Sequence, residues 1–237
     1  MSRRRAEELI RAGRVTLDGK TAILGDRADG DTAVVAIDGV PLPVRADLVY
    51  YLLNKPRGVI STADDPQGRT SVVDLVDAGT RVYPVGRLDA DSEGLLILTN
   101  DGTLADLIMH PRYQVSKTYV ARVDGSPNRA ALRRLQQGVE LDDGIARAKS
   151  ARVLSRHGSE ALVEIVMTEG RKREVRRMLD HVGHYVSRLV RTAIGPVRDS
   201  QLEQGVARPM TVQEVRELYT AAGATWQDAA AGNELDR

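Results

Sequence analysis

Residues 86–102 read GRLDADSEGLLILTNDG. The aliphatic run that follows Gly94 is built for a buried strand, and just ahead of it Asp89 and Asp91 stand one residue apart behind Arg87. Like charges this close are costly unless a metal, a basic partner or water compensates them. The turn is therefore either a solvated corner or a working site.

Working outward, LVYYLLNKPRG (48–58) has the near-continuous apolar run of a strand buried on both faces. Further strands are expected over RVYPVG (81–86), VSKTYVARVDG (115–125) and HYVSRLVRTAIGPV (184–197), with IARAKSARVLSR (145–156) and EALVEIVMTEG (160–170) as a pair. Helices are expected over SVVDLV (71–76), TLADLIMH (103–110, stopped by Pro111), PNRAALRRLQQG (127–138), RKREVRRMLDHVG (171–183) and TVQEVRELYTAAG (211–223). Strands and helices mix without βαβ regularity, which favours α+β over a doubly wound sheet. Ahead of this body, SRRRAEELIRAG (2–13) reads as a short helix ended by Gly13. Two hairpins follow, signalled by Asp18-Gly19 and Asp38-Gly39. The leading 45 or so residues thus form a module near the size limit of independent stability. The alanine-rich ending, from about Ala222, is expected to be disordered.

The charges are unevenly spread. The net value is only +1 over 237 residues, yet Arg3, Arg4, Arg5, Arg11 and Arg14 crowd the start and RKREVRR (171–177) holds five basic residues. Separate arginine clusters point to a polyanion, against the plain alternative of solvated helix faces. With no cysteine, disulfides and thiolate metal sites are excluded. No apolar run approaches the roughly 18 residues of a membrane span, so a soluble cytoplasmic protein is expected. Phenylalanine is absent and there is one tryptophan, so base recognition would rest on one or two tyrosines.

A metal reading of Asp89 and Asp91 is weak, because only four histidines exist and neither GxxxxGK[ST] nor GxGxxG occurs. On the helix expected over 171–182, Val175, Met178, Leu179 and Val182 make one apolar face. Arg177 then points to water, while Lys172 and Arg176 border the buried face and Arg176 is best placed to lean into a cleft. A snorkelling structural arginine is the plain alternative.

GRLDADSEGLLILTNDG, with NKPRG upstream and KTYVARV and EGRKREVRRMLDHVGHYVSRLVRTAIGPV downstream, resembles the RsuA/RluB-type pseudouridine synthases from about Leu48 to about Leu218. The leading module is similar to the ribosomal-protein-S-four type of RNA-binding domain. The resemblance implies a central, mainly antiparallel sheet with flanking helices, over residues 46–222. It gives residues 1–45 to the RNA-binding module and 223–237 to a tail. It implies an isomerase, without metal or other cofactor, that converts a uridine of ribosomal RNA to pseudouridine; a monomer is expected. Large-subunit 23S RNA is favoured over 16S, and a non-catalytic ribosome-assembly factor is the rival. Asp89 maps to the family's essential aspartate, Tyr119 to its active-site tyrosine and Arg176 to its basic partner, which would orient Asp89 and hold it ionised; Asp91 is left as a turn residue. Substrate contacts are expected from Arg87, Lys55, Leu189, Lys172 and, in the leading module, Arg3, Arg4 and Arg5. Two departures stand out: the family's module opens with a further helix ahead of Ser2-Arg3, and Glu174 and Lys172 replace residues that are more often amides.

Overall fold

The computed structural model describes residues 3–27, 33–41, 48–63 and 65–224. The tail beyond Ala224 and the Arg3 side chain lie outside the described residues. The leading segment is α1 (Arg3–Arg11) followed by β1 (Val15–Leu17), β2 (Lys20–Thr21), β3 (Val35–Ile37) and β4 (Val40–Pro41), in the antiparallel order β2-β1-β3-β4. Both hairpin signals are realised. Asp18 and Gly19 have φ of 52° and 79°, Asp38 and Gly39 of 50° and 78°, as a primed two-residue turn requires. Leu9, Val15 and Ala22 make a small core of their own.

The body contains β5 (Tyr50–Lys55), β6 (Tyr83–Pro84), β7 (Glu93–Thr99), α2 (Gly102–Met109), β8 (Lys117–Asp124), α3 (Arg129–Gln137), β9 (Val139–Leu141) and β10 (Gly144–Ala146). It continues with β11 (Ser150–His157), β12 (Glu160–Met167), α4 (Glu174–His181), β13 (Val186–Ile194), β14 (Ala207–Pro209) and α5 (Val212–Ala221). An eight-stranded sheet runs β11-β12-β8-β13-β7-β5-β14, with β6 also on β7. Every pairing in it is antiparallel except β13–β7. The double-faced burial read from 48–58 holds. Consecutive Leu52 and Leu53 are fully buried and enter different cores, one under α2 and α5, the other around Val59 and Val72. On the other side of the parallel junction, inward residues of β8, β12 and β13 pack on Leu135 of α3 and on Val175, Met178 and Leu179 of α4.

The junction itself depends on Gly94. A Cβ there would stand 2.6 Å from Arg191 N and 2.9 Å from its carbonyl carbon, closer still to its oxygen, and φ is +108°. Only glycine lets the two backbones approach this closely.

Two expectations change. The run at 145–156 divides, because Gly144–Ala146 folds back on β9 as a separate two-stranded sheet and only Ser150–His157 joins β12. The helix expected from Arg171 starts at Glu174: Arg173 is left-handed (φ 52°), and Glu174 Oε2 accepts from the Arg171 amide at 3.0 Å, closing a turn over 171–173. Lys172 thus precedes the helix rather than bordering its buried face.

Candidate active site

The turn that carries Asp89 is pinned from several elements. Ahead of it, the Leu88 N–H donates to Ser61 Oγ (3.1 Å) and that hydroxyl donates to the Leu88 carbonyl (2.8 Å). Within it, the Ser92 N–H donates to the Asp89 carbonyl (2.9 Å), and from the β5 side the Gly58 N–H donates to the Ala90 carbonyl (2.7 Å). Lys55 Nζ donates to the carbonyls of Ser92 (2.8 Å) and Pro56 (3.0 Å). From α4, Arg176 Nη2 donates to the Asp91 carbonyl (3.0 Å) and Nη1 to the Val186 carbonyl (2.9 Å). The backbone of Asp89 is therefore fixed, while its half-buried carboxylate makes no hydrogen bond or ion pair among the described residues.

That carboxylate faces a cavity of about 720 Å³, within the range of about 300–1,000 Å³ typical of small-molecule sites. Tyr119, Leu189, Arg87 and Lys172 line the same cavity, so the structure brings five of the sequence-expected residues together. Tyr119 and Leu189 are buried in its wall, whereas Arg87 and Lys172 are exposed. The others lie elsewhere. Lys55 is fully buried beneath the turn and does not reach the cavity, so its contact is with backbone rather than substrate. Burial pushes its ammonium down to about 8 against the opposing pull of Asp91, Glu93 and Asp89. Arg4 and Arg5 are exposed on α1 outside the cavity, with Arg5 paired to Glu8 at 2.9 Å.

Arg176 was expected to lean into a cleft; it does turn inward, with a side chain only 10% exposed, but onto the turn and not into the cavity, whose lining it does not join. Its anion is Asp91 (3.5 Å), not Asp89, which it influences through space and through the shared turn. Asp91 is correspondingly no solvated bystander. Both its oxygens accept from Arg173 Nη1 at 3.0 Å. Burial alone would raise its pKa, but the Arg173 hydrogen bond and the charges of Arg176 and Arg173 hold it below the usual carboxylate range. With two guanidiniums on Asp91, the aspartate pair is not arranged to share a metal. Arg177 is also engaged, clasping Asp143 at 2.9 and 2.8 Å.

Sequence reasoning missed two basic groups in the cavity wall, Lys117 and Arg191, both nearly buried. A signal was present: Lys117 alternates with inward Tyr119, and Arg191 with inward Leu189, so both occupy the buried phase of their strands. Lys117 Nζ donates to the Ile108 carbonyl (2.7 Å), and burial with nearby Arg191 pushes it down to about 8. Buried Glu174 also reaches the wall; burial, with Glu169 beside it, pushes its carboxyl up to about 7.

An unpaired, rigidly held carboxylate beside a tyrosine in a cleft with exposed arginine and lysine suits chemistry on an anionic, ring-bearing substrate. Comparison with known proteins agrees. Residues 49–181 match the RNA pseudouridylate synthase family profile. The chain is 47% identical to an uncharacterized RNA pseudouridine synthase of Mycobacterium leprae, covering 94% of this chain and 89% of that one. It is 42% identical to the ribosomal large subunit pseudouridine synthase B of Bacillus subtilis, covering 93% and 91%. A crystal structure of a pseudouridylate synthase superposes with a TM-score of 0.65 at 27% identity, over 92% of this chain and 94% of that one. Fold, cleft and sequence converge, and the chain belongs to the RNA pseudouridylate synthase family.

Proposed function

We propose that this enzyme isomerises a uridine of large-subunit ribosomal RNA to pseudouridine, with Asp89 as the carboxylate that acts at the sugar. The observation that carries the reading is the Asp89 carboxylate, fixed by its backbone yet left without a partner at the wall of a nucleoside-sized cavity. Such a group keeps its lone pairs for the substrate instead of spending them on a structural bond. Pseudouridine formation breaks the N1–C1′ bond, turns the ring and rejoins it through C5. A carboxylate serves this as nucleophile at C1′ or as base at C2′, in the manner of glycoside hydrolysis.

The uridine must leave its helix to reach the cleft. Tyr119, in the cavity wall, stacks on the extruded ring and assists removal of the C5 proton. Exposed Arg87 and Lys172 offer phosphate contacts that position without reading sequence. Arg176 serves as a positioning residue, holding the Asp89 turn through Asp91. Residues 1–45 supply further phosphate contacts. The large-subunit assignment draws on the relative named ribosomal large subunit pseudouridine synthase B.

The test is tritium release from C5-labelled uridine in 23S and 16S transcripts. Wild type should release tritium from 23S RNA, and Asp89→Asn should release none while melting and binding RNA as wild type does. Release from 16S alone overturns the target; normal release by Asp89→Asn overturns the residue.

A further inference from the structure

The cleft floor is one face of the sheet, lined by Met167 of β12, Lys117 and Tyr119 of β8, and Leu189 and Arg191 of β13. Arg191 stands opposite Tyr119 in the antiparallel register and its neighbour Leu189 opposite Ala121, so Arg191 projects beside the tyrosine ring. A guanidinium keeps its charge at any working pH, so burying it demands partners. Arg191 is 4% exposed, yet its needs are only partly met. Nε donates to the Leu95 carbonyl at 2.7 Å, while Nη2 has no hydrogen-bond partner. No carboxylate lies within ion-pair distance of it among the described residues. Its charge reaches both Lys117 and Lys55, and is repulsive to each. Two buried cations thus share the floor, neither of them ion-paired among the described residues. Arg87, Lys172 and Arg173 line the same cavity and are exposed; on the reading given under Proposed function they suit the RNA backbone, which leaves the floor to the base.

We propose that Arg191, with Lys117 beside it, receives the uracil ring: Nη2 donates to a ring carbonyl oxygen and stabilises the negative charge that the ring acquires during cleavage. This rests on the reading given under Proposed function. When N1–C1′ breaks, its electron pair stays with the ring and spreads from N1 onto the carbonyl oxygens. The sugar is compensated by a new bond from C1′ to the Asp89 carboxylate, or by loss of the C2′ proton to it. After the ring turns, C5 bonds to C1′ and the carboxylate bond breaks, or the C2′ proton returns. C5 then loses its proton and N1 gains one. The product is an isomer, so no co-reactant is required. The donor is needed most when the ring carries full charge, which makes Arg191 a transition-state group rather than a simple anchor.

The experiment uses the full-length protein as wild type, Arg191→Met and Arg191→Lys. Single-turnover rates are measured on 23S transcripts made with uridine or with 5-fluorouridine, following disappearance of the starting nucleoside at the target position, alongside RNA binding; the fluorinated ring has no C5 proton to lose, so it reports bond cleavage and rejoining rather than completed isomerisation. Fluorine itself stabilises the ring anion, so a missing donor matters less. Arg191→Met should be about 100-fold slower on uridine and at most about 10-fold slower on 5-fluorouridine, with RNA affinity within about twofold of wild type. Arg191→Lys should fall between, with the same preference. Equal loss on both rings means a structural role and overturns the proposal. A loss carried by RNA affinity and its salt dependence means a phosphate contact and also overturns it, as does unchanged turnover. If Arg191→Met fails to fold, the smaller loss on the fluorinated ring must still appear in Arg191→Lys. Wild type inactive on both rRNAs removes the underlying reading as well; active wild type with unaffected variants removes this inference alone.

Discussion

Asp91→Asn keeps the shape of the side chain and removes the charge that ties α4 to the Asp89 turn. The Arg173 pair is partly exposed, at 43% and 33%, so solvent screens it and it contributes about 0.2–1 kcal/mol. Arg176 is different, because its confined guanidinium cannot be rehydrated in place once its anion is gone. It keeps its bonds to the Asp91 and Val186 carbonyls, so the loss there is about 1–2 kcal/mol rather than the full cost of an orphaned charge. The sum is about 2 kcal/mol, which in a chain of this size lowers Tm by about 4–8 °C. Scanning calorimetry measures it directly. The sign with pH is fixed too. The folded value of Asp91 is depressed, so its contribution is present above the unfolded value of about 4 and is lost as pH falls through the folded value. The gap between wild type and variant should therefore close in acid. Turnover should also fall several-fold as the turn loosens. A variant melting within about 1 °C of wild type at pH 7, or a gap unchanged in acid, refutes this account of the turn.

Gly94→Ala should cost at least about 3 kcal/mol, since the added Cβ meets the Arg191 backbone at a positive φ; a urea midpoint near wild type would mean that the parallel junction yields easily. Burial holds Lys55 and Lys117 near 8, so the unfolded chain, with lysines near about 10.4, binds more protons and stability should rise between about pH 8 and 10.5. Lys55→Met should remove about half of that slope, and an unchanged slope would show that Lys55 does not titrate as described. Replacing Arg4 and Arg5 with glutamine should weaken RNA binding and shrink its dependence on salt by about one to two counterions. An identical salt slope would assign these exposed residues to ordinary surface.

The sequence by itself determined the periodic and the local. The aliphatic runs at 49–53 and 95–98, the inward alternation of β8 and β12, and the Asp-Gly turns follow from burial and backbone sterics, which act over a few residues. The spacing of GRLD, KTY and EVRR carried the family, because chemistry constrains those residues wherever the chain goes. Partner choice was decided only in three dimensions. The helical angle of Arg176 turned it inward, onto the Asp89 turn rather than into the cavity; Asp89 and Asp91 lie one residue apart, and no pattern says which carboxylate faces an arginine that is 85 positions away. Lys55, expected to contact the substrate, ends beneath the turn because β5 carries it there through the sheet's interior. Lys117 and Arg191 become neighbours only when β13 pairs with β8 on one side and passes Gly94 of β7 on the other. That crossing joins segments almost a hundred residues apart, and it is settled by which surfaces fit together, a property of the packed sheet rather than of any stretch of sequence.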